Sequence, residues 1–393
     1  MGHAGTQVNR QAASIRDMGV TPASNADERA SPDARFMAFA LTLGRRGLGR
    51  TWPNPAVGAV IVKDGVIVGR GWTQPGGRPH AEVEALRRAG PLARGATLYV
   101  TLEPCSHFGR SPPCADAVIA AGVARVVSAL EDPNPEVAGA GHARLRAAGI
   151  AVDIGLGAEE ARHAHAGHIR RMRDGRPHVL LKLAVSADGK VGAAGRKPVA
   201  ITSEPARERV QLLRAQSDAI MIGSGTALAD DPILTCRLPG MAGYSPVRVV
   251  LDASLRLLPG SRLVRSAREV PLWVVAAAEA SPAAKDMLEA AGATVLAVPR
   301  ADAGLDLTAI LRLLAQRRIS RLMVEAGPIL AAALLRADLV DEAALFRSDK
   351  RVGADGIDAL EGLPLTALTQ SPRLTRVSSE AVGADRVEIL QRR

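Results

Sequence analysis

The chain is poor in cysteine, with three in 393 residues. Three cysteines cannot form the multi-bridge framework of a small secreted domain, and Cys236 lies far from the other two along the chain. The N-terminus lacks the basic, apolar and small-residue sequence of a secretory signal, so we expect a reducing, cytoplasmic setting. No apolar run approaches the ~20 residues that span a bilayer, which leaves a membrane role without support.

Aromatic residues and lysines are also scarce: aromatics make up 2% of the chain, and six Lys accompany 44 Arg. Any core must therefore be built from Ala, Val, Leu and Ile. The formal net charge of +10 would suit nucleic-acid binding. Against this, the arginines are spread along the chain and stacking residues are few. We expect no nucleic-acid partner and regard anionic small molecules such as phosphates as better ligands for the arginines.

The first part of the chain alternates between helical and extended patterns. Residues 1–30 have the composition of a disordered extension. Helical spacing follows over 33–47, and Asp64-Gly65 separates two β-rich runs, which predicts a hairpin. Strand and helix patterns then alternate to residue 155, as in a mixed sheet covered by helices.

A polar segment, residues 163–176, ends before a proline and marks the predicted end of a first domain at 31–175. Its three histidines (His163, His165 and His168) do not share one helical face. We therefore expect a solvated helix end here rather than a metal site.

The second part, 176–393, repeats the alternation with strand patterns near 178–186, 218–223, 247–252, 271–277, 293–298 and 320–327. This predicts a second α/β domain with a largely parallel sheet. The segment SGTALADDP (224–232) predicts a small-residue turn that can approach a phosphate. It is not a G-x-G-x-x-G sequence, so a Rossmann assignment is not supported.

Two of the cysteines share one segment, TLEPCSHFGRSPPC (101–114). Cys105, Cys114 and His80 offer two thiolates and one imidazole, the donors that zinc prefers, and three protein ligands leave a fourth position for water. Prolines before both cysteines predict that each begins a helix, where the helix dipole favours a thiolate. Glu82 is a poor ligand for such a site and suits proton transfer from water to a leaving amine.

This arrangement departs from the general zinc-deaminase signature, because eight residues rather than two separate the cysteines. A structural zinc site is an alternative, but it leaves Glu82 and the missing fourth protein ligand unexplained. A second alternative, a pair of ordinary half-buried cysteines with a helix-start histidine, leaves the ordered H-A-E, E-P-C and P-P-C motifs unexplained.

Four segments resemble the bifunctional deaminase/reductase family of riboflavin biosynthesis: TWPNPAVGAVIV (51–62), HAEVEAL (80–86), TLEPCSHFGRSPPC (101–114) and EDPNPEVAGAGHARLRAAGIAV (131–152). The longer loop between the cysteines is that family's own form. The resemblance implies a cytidine-deaminase-like first domain that hydrolyses the exocyclic 2-amino group of a diaminopyrimidinone ribosyl phosphate. The three ligands named above would bind one Zn²⁺, with Glu82 as the proton carrier, and Asn54 and His107 would face the pyrimidine.

The resemblance continues through LKLAVSADGK (181–190), ITSEPARERVQLLRAQSDAIMIGSGTALADDPILTCR (201–237) and VEAGP (324–328). It implies a dihydrofolate-reductase-like second domain that uses NADPH to reduce a ribosylamino group to a ribitylamino group. The positions implied to line the dinucleotide are Ala184, Ala200, Thr226, Asp230, Gly327, Pro328, Ile329 and Leu330. Those implied to hold the substrate are Lys182, Pro198, Arg214, Leu234, Arg237 and Glu325. Of these, the two arginines suit a sugar phosphate through bidentate, charge-assisted bonds.

Several features of the second domain depart from the family's usual pattern. Ala200 stands where Trp is usual, Pro198 replaces a small polar residue, and Ala326 replaces a Gly. The run AALFRSDKRVGADG (343–356) replaces an APKLLG-like sequence. These departures could change the affinity of the reductase domain for its cofactor. We still expect reductase activity.

The leading hypothesis is therefore a two-step riboflavin-biosynthesis enzyme that acts on a small phosphorylated pyrimidine, with a homodimer or homotetramer implied by the resemblance. One alternative is a zinc pyrimidine deaminase whose second domain only binds substrate or reduces it weakly. Another is a zinc-stabilised nucleic-acid-binding protein, which only the basic charge supports.

Overall fold

A computed structural model describes residues 31–109, 111–196, 199–301 and 304–393. The predicted extension 1–30 and Pro198 lie outside the described residues. Within the described part of the chain, no helix is both long enough and apolar enough to cross a membrane.

The first domain is built on a five-stranded mixed sheet of order β2-β1-β3-β4-β5. Its strands are β1 (Gly58–Lys63), β2 (Val66–Trp72), β3 (Thr97–Val100), β4 (Arg125–Ser128) and β5 (Ala151–Ile154). β1 is antiparallel to β2 and β3, whereas β3, β4 and β5 run parallel. The predicted hairpin is confirmed: Asp64 (φ 52°) and Gly65 (φ 76°) both adopt the left-handed backbone of a two-residue turn.

Helices cover both faces of this sheet. They are α1 (Pro32–Arg45), α2 (Ala81–Ala89), α3 (Cys114–Ala120), α4 (Ala140–Ala147), α5 (Ala158–Ala164) and α6 (Ala166–Asp174). Successive strand residues face opposite sides, so Ile61 packs with α2 and α3 while Val60 packs with α1. The core consists mainly of Ala, Val, Leu and Ile, as the scarcity of aromatics predicts. Gly71 allows α2 to lie directly against β2, since a Cβ there would be 2.3 Å from the Ala81 carbonyl oxygen.

The second domain contains a nine-stranded sheet of order β11-β10-β9-β8-β14-β6-β15-β18-β17. Its strands, with two short pairs beside the main sheet, are β6 (His178–Val185), β7 (Lys190–Gly192), β8 (Ala219–Gly223), β9 (Val247–Leu251), β10 (Leu272–Ala277), β11 (Thr294–Val298), β12 (Arg300–Ala301), β13 (Gly304–Leu305), β14 (Arg321–Val324), β15 (Glu342–Arg347), β16 (Ile357–Asp358), β17 (Leu374–Val382) and β18 (Asp385–Arg392). The seven strands from β11 to β15 are parallel, and β18 and β17 are antiparallel to their neighbours, so the prediction of a largely parallel sheet is confirmed.

The helices of this domain are α7 (Glu204–Ala215), α8 (Ser224–Asp230), α9 (Arg262–Arg265), α10 (Pro282–Ala290), α11 (Leu307–Gln316), α12 (Pro328–Arg336) and α13 (Thr366–Thr369). The segment predicted to be a small-residue turn after β8 is α8. The largest core cluster packs β6, β8, β9 and β14 against α11 and α12.

The polar segment at the domain junction is helical, and the expectation of a solvated helix end is wrong for two of its histidines. His165 and His168 are 2% and 7% exposed. His165 contacts the Thr101 hydroxyl (3.0 Å), His168 contacts Asp132 (2.8 Å), and burial lowers the pKa of His165 to about 3. The second domain covers α6, since a Cβ on Gly167 would lie 2.8 Å from the Ser320 carbonyl oxygen.

Candidate active sites

The first candidate site lies where α2 and α3 begin. His80 is the N-cap residue of α2 and Glu82 lies in its first turn, while Cys114 opens α3. The prediction that Cys105 also begins a helix is wrong, because residues 103–106 form a loop. The Cys105 sulfur instead accepts the N–H of Cys114 (3.3 Å), one of the donors that a helix start leaves unpaired. Both thiols therefore use the positive end of α3.

The three predicted metal ligands converge. His80 Nδ1 lies 3.2 Å from the Cys114 sulfur and 3.7 Å from the Cys105 sulfur. All three donor atoms lie within 4.8 Å of one another. One imidazole nitrogen and two thiol sulfurs at this spacing fit Zn²⁺, and their number leaves one tetrahedral position open.

The electrostatics suit metal binding beside a proton carrier. A hydrogen bond from the Cys114 thiol, with help from His80, lowers the pKa of Cys105 to about 4. The same hydrogen bond and burial raise the pKa of Cys114. Burial raises the pKa of Glu82 to about 7, so this carboxyl group, which is 3% exposed, can gain or lose a proton near neutral pH.

The two residues expected to face the pyrimidine differ in placement. The Asn54 amide nitrogen lies 3.1 Å from His80 Nε2 and donates to the Gly77 carbonyl oxygen (2.9 Å). His107 is exposed on the loop between the cysteines, and its side chain has no hydrogen bond to another described residue. The structure thus brings Asn54, and not His107, against a candidate metal ligand.

The sequence analysis did not identify Glu103, a buried residue that holds the loop carrying Cys105 in place. Its side chain is buried, and its two carboxylate oxygens accept four backbone N–H groups, from Asp132, Gly139, Gly141 and His142 (2.8–3.1 Å). Gly141 also lies against the chain before Cys105, because a Cβ there would be 2.0 Å from the Pro104 carbonyl oxygen. Glu103 therefore holds the 131–142 loop against the Cys105 loop. An acidic residue directly before the P-C pair was the available signal.

The second candidate site is a cleft of about 1390 Å³ at the carboxyl ends of β8, β9 and β14. Every described residue that the resemblance implied for this domain lines the cleft, namely Lys182, Ala184, Ala200, Arg214, Thr226, Asp230, Leu234, Arg237, Glu325, Gly327, Pro328, Ile329 and Leu330. Gly327 leaves the cleft open beside α8, because a Cβ there would be 3.1 Å from Thr226 Oγ1. A cleft of this size with a backbone approach at the start of α12 fits a dinucleotide.

Charged side chains cluster at one end of this cleft. Arg214 donates to Glu325 through Nε (2.5 Å) and Nη2 (2.9 Å), and its Nη1 donates to the Thr235 carbonyl oxygen (3.1 Å). Burial opposes the charge of Glu325, but Arg214 and Lys182 hold its pKa below the usual range. Burial also lowers the pKa of Lys182. Arg237 is exposed, and its guanidinium has no partner among the described residues.

Comparison with known proteins agrees with both sites. The cytidine and deoxycytidylate deaminase zinc-binding region matches residues 30–130, and the RibD C-terminal domain matches residues 177–387. The riboflavin biosynthesis protein RibD of Escherichia coli (strain K12) is 46% identical over 366 residues, which cover 90% of this chain and 97% of that protein. The RibD protein of Aquifex aeolicus (strain VF5) is 40% identical over 360 residues, covering 92% of this chain and 98% of that protein.

Solved structures give the same result. Acinetobacter baumannii RibD (form 1) superposes with a TM-score of 0.82 at 35% identity, covering 92% of this chain and 99% of that one. A Thermotoga maritima diaminohydroxyphosphoribosylaminopyrimidine deaminase/5-amino-6-(5-phosphoribosylamino)uracil reductase superposes with a TM-score of 0.80 at 34% identity, with the same coverage. The predicted two-domain α/β fold is therefore confirmed. The chain belongs to the RibD family, as an enzyme of riboflavin biosynthesis that joins a zinc-dependent deaminase domain to an NADPH-dependent reductase domain.

Proposed function

We propose that this enzyme deaminates 2,5-diamino-6-(5-phosphoribosylamino)pyrimidin-4-one in its first domain and reduces the ribosyl group of the product to ribityl in its second. The observation that carries the proposal is the buried Glu82 carboxyl group beside the converging donors of His80, Cys105 and Cys114. The Thermotoga maritima relative is named for both activities on substrates of this kind.

In the first domain, His80, Cys105 and Cys114 would hold the zinc ion. When bound, zinc acts as a Lewis acid and makes hydroxide available near neutral pH. Glu82 takes up the proton released there and passes it to the leaving amine, for which its pKa of about 7 is suitable. His107, on the exposed loop above the ligands, would contact the pyrimidine.

In the second domain, the dinucleotide would lie along Ala184, Ala200, Thr226, Asp230 and the start of α12 at residues 327–330. When bound, NADPH supplies the hydride for the anomeric carbon of the opened sugar. The turn before α12 contributes backbone rather than side chains, so the Ala326 departure adds one methyl group without removing a donor. Ala200 likewise lines the cleft, and its small side chain leaves room where the family usually places an indole.

The substrate would lie at the charged end of the cleft, between Lys182, Leu234 and the Arg214–Glu325 pair. We assign the sugar phosphate chiefly to Arg237, because its guanidinium is exposed and has no partner among the described residues. Arg214 already donates three of its N–H groups to Glu325 and Thr235, and two N–H groups remain for the substrate.

We also propose domain limits of 31–175 and 176–393, a homodimer or homotetramer, no nucleic-acid partner and a cytoplasmic location. With two of its three cysteines placed as metal ligands, the chain has no disulfide framework to form, which supports a reducing compartment. Size-exclusion chromatography with light scattering would test the oligomer.

A coupled assay tests the function. The purified, zinc-loaded enzyme receives the diaminopyrimidinone ribosyl phosphate with and without NADPH, and both ammonia release and loss of nicotinamide absorbance are followed. We expect ammonia in both samples and NADPH oxidation only after deamination. Ammonia without any NADPH oxidation would support the alternative of a deaminase with a binding-only second domain. That alternative is not favoured, because the RibD C-terminal domain matches residues 177–387.

A further inference from the structure

A short segment of the first domain, Gly49–Asn54, lies against the second domain, and we call it the bridge segment. Its first residue, Gly49, has φ +73°. The backbone here lies so close to the end of α7 that a Cβ on Gly49 would be 2.2 Å from the Ala215 carbonyl oxygen. A side chain at position 49 would therefore push the bridge segment away from α7.

Two further side chains of the bridge segment contact the second domain. The Arg50 guanidinium lies 4.3 Å from the ring centroid of Tyr244, a cation–π geometry. Trp52 packs against the main core cluster of the second domain. The bridge segment is thus anchored on the second domain at three of its residues.

The other end of the bridge segment contacts the metal ligand. The Asn54 amide lies 3.1 Å from His80 Nε2, while His80 Nδ1 faces the two cysteine sulfurs. The same amide donates to the Gly77 carbonyl oxygen. Because a zinc-binding Nδ1 leaves the ring proton on Nε2, and the Asn54 amide nitrogen is itself a donor, this approach is a packing contact rather than a hydrogen bond. Asn54 therefore acts through the Gly77 carbonyl oxygen, by holding the residues 77–79 that lead into His80. Losing the support of a ligating imidazole typically weakens metal binding.

The bridge segment is internally tied, so its two ends are not independent. The Thr51 hydroxyl donates to the Asn54 carbonyl oxygen (3.0 Å), and the Asn54 N–H donates to the Thr51 carbonyl oxygen (2.9 Å). The Gly76 N–H donates to the Arg50 carbonyl oxygen (2.8 Å). A fourth tie comes from the domain junction, where the Arg171 guanidinium donates to the Pro53 carbonyl oxygen (3.0 Å).

From these contacts we propose that the seated second domain positions the zinc ligand His80 through the bridge segment, with Asn54 as the positioning residue. The deaminase site is then complete only when the reductase domain is docked on it. This inference rests on the proposed deaminase function and adds a dependence of that site on the second domain. It also gives Asn54 a role other than the expected contact with the pyrimidine.

A matched pair of glycine variants tests the proposal in the full-length enzyme. Gly49→Ala introduces the close contact with Ala215, whereas Gly65→Ala sits at a similar φ of +76° with no atom within 4 Å of its Cβ. Zinc release from the loaded enzyme to a chromophoric chelator measures ligand geometry without substrate. We expect Gly49→Ala to release zinc about tenfold faster and to lose about tenfold in deaminase kcat with little change in KM, and Gly65→Ala to match the wild type. NADPH oxidation on deaminated substrate should persist in both variants and report folded chains.

A second pair changes the reductase side alone. Tyr244 does not line the cleft, so its replacement leaves the reductase residues in place. Tyr244→Ala removes the ring under Arg50 and should speed zinc release by about two- to fivefold, in keeping with a cation–π contact. Tyr244→Phe keeps the ring and should restore the wild-type rate.

The outcomes separate this inference from the proposed function. If the wild type releases no ammonia, the proposed function fails. If the wild type deaminates while Gly49→Ala and Tyr244→Ala both match it in zinc release and kcat, the bridge is refuted and the deaminase assignment stands. Equal loss of both activities in Gly49→Ala, with no effect of Tyr244→Ala, would also overturn the inference, because it would indicate general destabilisation.

Discussion

Arg214 and Glu325 form a two-bond pair inside the reductase cleft, with Nε–Oε1 and Nη2–Oε2 distances of 2.5 and 2.9 Å. Both side chains are largely buried, and Lys182 lies close enough for its charge to influence Glu325. The pair joins α7 to the end of β14, two elements that meet at the floor of the cleft. Its main effect is to hold these two elements together. Because Arg214 is already paired with Glu325, Arg237 is the more available cation for a phosphate.

The two arginines should therefore respond differently to substitution. Arg237→Gln should raise the KM of the reductase for its phosphorylated substrate by roughly 10- to 100-fold with little loss of kcat, since it removes charge-assisted hydrogen bonds to the phosphate. Arg214→Gln should lower kcat and also the melting temperature, because it leaves Glu325 buried without its partner. Steady-state NADPH oxidation and a thermal melt distinguish the two. Arg209→Gln, on the exposed face of α7, is the control. A larger KM effect in Arg214→Gln than in Arg237→Gln would contradict the assignment of the phosphate.

Glu82 is predicted to be necessary for deamination and dispensable for zinc binding. Glu82→Gln should keep the zinc content of the wild type and slow ammonia release by about 10²- to 10⁴-fold, because the amide cannot carry the proton. Reductase activity on deaminated substrate should be unchanged. Glu84→Gln is the matched control on the same helix, where Glu84 pairs with Arg87. Ammonia release by Glu82→Gln at the wild-type rate would refute the proton-carrier role.

Substitution should distinguish the two zinc-binding cysteines from Cys236, which has no role in zinc binding. Cys114→Ala removes one of three converging donors and should abolish stable zinc binding and deamination together. Cys236 is buried in the second domain, far from the other two in sequence, so Cys236→Ala should retain its zinc. Metal analysis after dialysis gives the answer, and zinc loss in Cys236→Ala alone would overturn the ligand assignment.

Much of this architecture follows from local sequence signals. The Asp64-Gly65 turn, the strand–helix alternation and the convergence of His80 with the two cysteines all rest on short-range patterns that the structure reproduces. β15 was not predicted because its apolar part is only the four residues 343–346, and periodicity cannot distinguish so short a run from a buried helix. The β17–β18 hairpin was not predicted because β17 is exposed along most of its length and shows little alternation of buried and exposed residues.

The features that could not be predicted from the sequence depend on contacts between residues that lie far apart along the chain. His165 and His168 have the polar sequence surroundings of a surface helix, yet both are buried, against Thr101 and Asp132 respectively. Asn54 was found by its motif, yet its contact with His80 depends on the loop at Gly77 and on the bridge segment. Glu103 accepts hydrogen bonds from residues 29 to 39 positions downstream, a distance that no local pattern reveals.

Asp341 links the domain junction to the second domain, and its replacement should show a defined pH dependence. The side chain of Asp341 is 1% exposed. Its carboxylate accepts hydrogen bonds from Nη1 and Nη2 of Arg176 (2.6 and 2.8 Å) and from the N–H of Val179 (2.9 Å). Burial opposes its charge, but Arg176 holds the pKa of Asp341 below its usual range. A carboxylate with a lowered folded pKa stabilises the protein above the unfolded pKa of about 3.9, and this stability is lost as the pH falls through the folded value.

Asp341→Asn should therefore lower the free energy of unfolding by about 3 kcal/mol or more at pH 7, because the half-buried Arg176 loses its charged partner. The gap between wild type and variant should be constant above about pH 5 and should narrow as the pH falls below the unfolded pKa of about 3.9, because the unfolded wild-type chain then binds a proton that the folded carboxylate does not. Melting temperatures across this range measure the gap. Asp153→Asn removes an exposed partner of Arg125 and should shift stability by less than about 1 kcal/mol. A gap for Asp341→Asn that stays constant down to pH 3 would show that its effect arises from packing rather than from charge.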